Sequence, residues 1–154
     1  MSWVALLIIH GLIAFLLLGA VTHQAVSTLW PAPRKRHFIE SFAAVRTGFY
    51  VNAVIVLFLV NFFFGAWIYT NYRTNARIPL EFGQYWSTVG LFETKEHVIS
   101  LVGALLPTYW LFWKRVPLTE GRATRSLVTL IVAAGILWVF VAGHIVNNAK
   151  GVSV

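Results

Sequence analysis

The chain has no cysteine and very little charge. Of its 154 residues only 11% are charged, and just five are acidic. Without thiols there are no disulfides, thiolate metal sites, iron–sulfur clusters or Cys-x-x-Cys-His attachment of c-type haem. A redox cofactor would have to be held by histidine, by carboxylate or without covalent attachment. The shortage of charge is matched by an apolar excess, 58% hydrophobic residues and a mean hydropathy of +0.74, far outside the range of soluble domains. This composition excludes a soluble enzyme, a nucleic-acid-binding domain and a disordered tail. At about twenty apolar residues per span, the length holds about four spans and no separate soluble domain. The expected fold class is therefore an all-α integral membrane protein, a single four-helix transmembrane bundle over residues 1–154.

The apolar runs place the helices. The first, residues 3–30, is too long and too evenly apolar for a cleaved signal peptide and ends at Pro31 and Pro33. The second is expected over residues 46–70. From Asn71 to Phe92 the chain turns polar and aromatic, which predicts a long outward connection between helices 2 and 3 with a short interfacial piece. Helix 3 is expected over 93–113, with a kink at Pro107, and helix 4 over 123–147. Gly11, Gly19, Gly103 and Gly135 read as places of close helix approach. There is no internal repeat, low-complexity segment or phosphate-cradling glycine motif.

The net charge of +7 would suggest nucleic acid in a soluble protein. Here the basic residues fall in loops, where they serve as topology signals and lipid-phosphate contacts. Arg34, Lys35, Arg36 and Arg46 follow helix 1, and Lys114, Arg115, Arg122 and Arg125 follow helix 3, so both termini are expected to face outward. The expected location is a bacterial inner membrane.

Ionisable groups within a span are costly, so their depth is informative. Counted from the basic ends of their helices, His10, His97 and His144 lie about 30, 24 and 28 Å along the axis at 1.5 Å per residue. Three histidines on three helices thus share one outer layer. Glu93 and Glu96 accompany His97, and Asn147 and Asn148 accompany His144. Glu93 and Glu96 also suit the first turn of helix 3, with Thr94 an acceptable N-cap. His23 lies thirteen residues after His10 on a different face and reads as a packing or headgroup contact, not the ligand of a second haem. Asn52 and Asn61 read as interhelical hydrogen-bonding groups on opposite faces of helix 2.

Three chemistries suit the outer layer. Any two of His10, His97 and His144 meet the depth requirement of a b-type haem. Glu93, Glu96, His97 and His144 form a mixed set suited to a transition metal. A quinone needs only a few hydrogen-bonding groups beside an apolar slot, for which Tyr69, Tyr85 and Trp86 are also available. No hydrolytic triad, paired-carboxylate site or nucleotide loop is present. The general architecture looks like that of the membrane anchor subunits of respiratory and photosynthetic complexes, a likeness of fold alone. The expected function is a membrane subunit of an electron-transfer complex that holds one haem b or forms a quinone pocket near the outer face. Its partners would be other membrane subunits, lipid and quinone. The alternatives are a cofactor-free accessory subunit and a copper-handling or oxidase-assembly protein that binds metal through the same histidines.

Overall fold

Backbone polar groups in hydrocarbon must find partners within their own segment, and the apolar runs are accordingly helical. The computed structural model describes residues 2–29 and 47–152. Its elements are α1 (Trp3–Leu29), α2 (Thr47–Asn75), α3 (Arg77–Phe82), α4 (Trp86–Lys114) and α5 (Arg122–Val152). Among the described residues three helical stretches are long and apolar enough to cross a membrane, Trp3–Leu29, Tyr50–Asn75 and Arg122–Ala149. The 29-residue α4 is as long but carries Glu93, Lys95 and Glu96. The basic segment after helix 1, including Arg34, Lys35, Arg36 and Arg46, lies outside the described residues.

The connection expected over 71–92 is much shorter than its composition suggests. α2 continues to Asn75, α4 begins at Trp86, and α3 lies between them. The polar and aromatic residues read as loop are packed: Tyr72, Ala76, Leu80 and Val89 form a small core with Val146 of α5. The chain reverses at Gly83 and Gln84, the latter at φ 61°, and the Tyr85 amide donates to the Leu80 carbonyl at 2.8 Å. Glu93 and Glu96 therefore stand in the body of α4, where the helix dipole does not act on them, and Thr94 is no cap. Its hydroxyl donates to the Gly90 carbonyl at 2.9 Å. α4 runs through Pro107 as one helix.

The long helices form a ring in which α1 touches α2 and α5, α5 touches α4, and α4 touches α2, with α3 bridging α2 and α4. A seam with alternating steps of three and four residues faces the centre, as in left-handed bundles. On α2 it reads Val51, Val54, Phe58, and on α4 Val102, Leu106, Tyr109, all buried. Together with Leu17, Val21 and Val132 these fill the half of the ring nearest the α4–α5 turn. That half also buries polar groups. Tyr109 donates to Gln24 Oε1 at 2.7 Å with both residues fully enclosed, and His23 stacks on Tyr50 at 4.2 Å.

Close approach depends on one glycine above all. A β-carbon on Gly135 would sit 2.4 Å from Val102 Cγ2, so α4 and α5 meet at their observed distance only because no side chain is there. Gly103 lies in ordinary contact range of Phe58, whereas Gly11 and Gly19 have open space around them and do not mark helix contacts. Asn52 is exposed.

The α4–α5 turn is organised by Arg125, 4% exposed, in the first turn of α5. Its guanidinium donates to five main-chain carbonyls, those of Phe112, Val116, Pro117, Leu118 and Glu120, at 2.8 to 3.3 Å. Most of these are acceptors that the end of α4 and the turn would otherwise leave unmet. Trp113 Nε1 adds a hydrogen bond to Thr129 Oγ1 at 2.9 Å.

Two outcomes follow for thermal unfolding in detergent. Gly135→Ala lowers the midpoint, and Val102→Ala on the same chain recovers most of the loss. Arg125→Met removes about 2 kcal/mol or more, because several buried acceptors lose their donor together. Arg125→Lys restores only part of it, since a compact ammonium cannot span five carbonyls.

Candidate functional site

In the half of the ring away from the α4–α5 turn, the seam changes chemistry. On α1 it runs from Gln24, Val21 and Leu17 through Ala14 to His10, on α2 from Phe58 through Asn61 and Gly65 to Tyr72, and on α4 from Val102 through Ile99 to Lys95. Aliphatic side chains give way to polar or absent ones at one depth on three helices. The space they no longer fill is a cavity of about 450 Å³.

His10 is the centre of this site. Its ring packs against Gly65, where a β-carbon would come within 3.3 Å of Cε1. The backbone of Asn61 is its hydrogen-bond partner, while Nδ1 is buried with no partner. Asn61 Oδ1 and the Tyr72 hydroxyl are likewise buried without partners. Asn61 therefore makes no interhelical hydrogen bond through this oxygen.

Lys95 brings the positive charge. Its stem passes within 3.5 Å of where a Gly143 side chain would begin, its ammonium lies 5.0 Å from the Phe92 ring centre, and its charge bears on His10. Among the described residues it forms no ion pair. The ion pairs found there belong to Arg77, with Glu81 at 2.6 Å and Glu93 at 3.2 Å. Glu81, as hydrogen-bond partner and as a negative charge, holds the exposed Arg77 guanidinium above its ordinary value.

The expected site residues divide. His10, His144 and Glu96 line the cavity from α1, α5 and α4. Glu93 and His97 do not. They line a second recess of about 340 Å³ with Arg77, and His97 Nδ1 donates to the Glu93 carbonyl at 2.7 Å. Tyr69, Tyr72, Phe92 and Glu96 border both spaces, and Tyr72 stacks on Phe92 at 3.7 Å. Among the described residues no three of His, Asp and Glu converge to hold a metal ion. Tyr85 and Trp86, considered for a quinone slot, stand away from the cavity at the start of α4.

Sequence reasoning missed Lys95, because it read the basic residues together as topology signals and did not single this one out. The signal was present, because Lys95 lies on the spacing 92, 95, 99, 102, 106, 109 that ends in three buried residues, while His97 lies about 200° away around the helix. No protein-family model, curated protein or solved structure matches this chain.

Removal of two phenol hydroxyls separates the halves of the ring. Tyr109→Phe destabilises by about 1 kcal/mol, since Gln24 Oε1 loses its donor. Tyr72→Phe is neutral or slightly stabilising in the ligand-free protein, because its hydroxyl has no partner to lose. Chemical or thermal unfolding of the two variants side by side checks both.

Proposed function

We propose that this chain is the membrane subunit of an electron-transfer complex and that its cavity binds a quinone. In this reading α4 is a fourth span, the termini and α3 face outward, and the basic turns lie in the cytoplasm of a bacterial cell. The observation that carries the proposal is that His10, whose Nδ1 is buried without a partner, lines a cavity together with Lys95 of the same seam. A quinone ring needs apolar walls and donors for its carbonyl oxygens, and its reduced form needs acceptors for two hydroxyl protons. Lys95 is such a donor, His10 Nδ1 such an acceptor, and Phe92, Tyr69 and Phe140 are the walls. The unpaired polar atoms support a ligand-binding role, because groups left bare in an apolar interior gain most when a ligand meets them.

One observation favours a second reading. His10 and His144 line the same cavity from the adjacent helices α1 and α5, which makes them the pair that would hold a b-type haem in this reading. His97, outside the cavity, is not part of that pair. A cofactor-free accessory role and a metal-handling role are outcomes of the same test.

The test is a dithionite-reduced minus air-oxidised spectrum of the detergent-purified protein, followed by titration with decylubiquinone read by tryptophan quenching. The quinone reading expects a flat spectrum and saturable binding that His10→Ala weakens about tenfold, the equivalent of about 1.4 kcal/mol. A sharp α-band lost in both His10→Ala and His144→Ala would replace it with the haem reading. No band and no saturable binding would leave the accessory role, or the metal-handling one if metal analysis of the sample finds a bound transition metal.

A further inference from the structure

The cavity is not equally closed on all sides. Its exposed lining residues are Trp3, Gly11 and Phe15 of α1 and His144 and Asn147 of α5. Every lining residue of α2 and α4 is buried or half-buried. The opening therefore lies between the outer halves of α1 and α5, two helices that pack together nearer the α4–α5 turn through Leu17, Val21 and Val132.

This mouth opens onto an apolar surface. Phe15 lines it, and the outer surfaces of the same two helices expose Leu12 and Leu16 on α1 and Val141 and Ile145 on α5, all five residues being 43 to 64% exposed. At the mouth Gly11 leaves a gap, since nothing lies within 4 Å of where its β-carbon would be. Besides His144 and Asn147 at the mouth, polar groups stand at the other end of the space, with Lys95 on α4 and Asn61 on α2. A path whose opening is apolar on the α1 side, with His144 and Asn147 on the α5 side, and whose floor is polar suits a molecule with an oxygen-bearing head and a hydrocarbon tail.

Building on the quinone reading, we infer that the cavity is loaded sideways from the bilayer, through the slot between α1 and α5. The ligand is an amphiphile whose head meets Lys95 and His10 while its chain remains in lipid. Lys95 then acts as the specificity-determining donor for the head oxygen, and Gly11 keeps the slot wide enough for the chain. No bond is made or broken in this step, and only the ligand's position changes.

The experiment compares two probes on the full chain in nanodiscs, a tailless dimethoxy-methyl-benzoquinone and its decyl homologue, with wild type, Gly11→Phe, Gly11→Ser and Lys95→Met. The decyl compound is expected to bind wild type at least about tenfold more tightly, a fraction of what a freely buried chain gains at about 0.8 kcal/mol per methylene. Gly11→Phe places a ring in the slot without touching the interior, and it should weaken the decyl probe about tenfold while leaving the tailless one within about twofold. Gly11→Ser, which keeps the slot open, should leave both unchanged. Lys95→Met should weaken both probes alike.

If Gly11→Phe weakens both probes equally, or neither, sideways loading is overturned while the cavity remains a quinone site. If Lys95→Met leaves both affinities intact, the head is not held by Lys95. If wild type binds neither probe, the quinone reading itself fails, and the loading path with it.

Discussion

The central constraint is the seam that lines the inside of the helix ring. A step of three and then four residues keeps one stripe of each helix turned inward over its whole length. Every residue on that stripe must either fill the centre or leave it empty. In the half nearest the α4–α5 turn Val, Leu, Phe and Tyr fill it, and Val21, Val54, Val132 and Tyr109 are completely buried. In the other half His10, Asn61, Gly65, Tyr72, Lys95 and Gly143 take the same stripe, and a cavity results. One period thus produces both a core and a pocket, and the position along the axis decides which.

This division also explains how two kinds of buried polarity coexist. Gln24 and Tyr109 sit in the filled half and share a 2.7 Å hydrogen bond, which fixes α1 against α4, while Gln24 Nε2 is buried there without a partner. In the open half His10 Nδ1, Asn61 Oδ1 and the Tyr72 hydroxyl have no protein partner. Removing a polar group from water without a partner is unfavourable, so such atoms are tolerated where something else meets them. The shared wall of Tyr69, Tyr72 and Phe92 keeps this space apart from the charged recess of Arg77, Glu93 and His97.

Much of the fold was legible because long apolar runs leave few alternatives in a membrane. The starts of α1 and α5 fall within a residue of their expected positions, and His10 and His144, placed at one depth by counting, do line one cavity. The connection after α2 was less legible. Its aromatic and polar residues resemble a loop in composition, but Tyr72, Leu80 and Val89 pack together and extend the helices on both sides. Depth alone also misassigned His97, because depth says nothing about which way a side chain points. Reading the seam along α4 would have turned His97 outward and Lys95 inward. Gly65 gave no signal in sequence, since its role exists only where His10 lies across it.

The knot around Arg125 has a consequence of another kind. Neutral carbonyls stabilise a guanidinium by orienting their dipoles toward it, yet they leave its formal charge uncancelled. A lysine on the surface shares its charge with mobile counterions, and its influence fades within a Debye length of about 8 Å at physiological salt. Arg125 is 4% exposed and largely withdrawn from those ions, so its charge is a fixed source whose strength ionic strength scarcely alters. The end of the molecule that holds it carries a positive charge fixed in place by the backbone carbonyls around it.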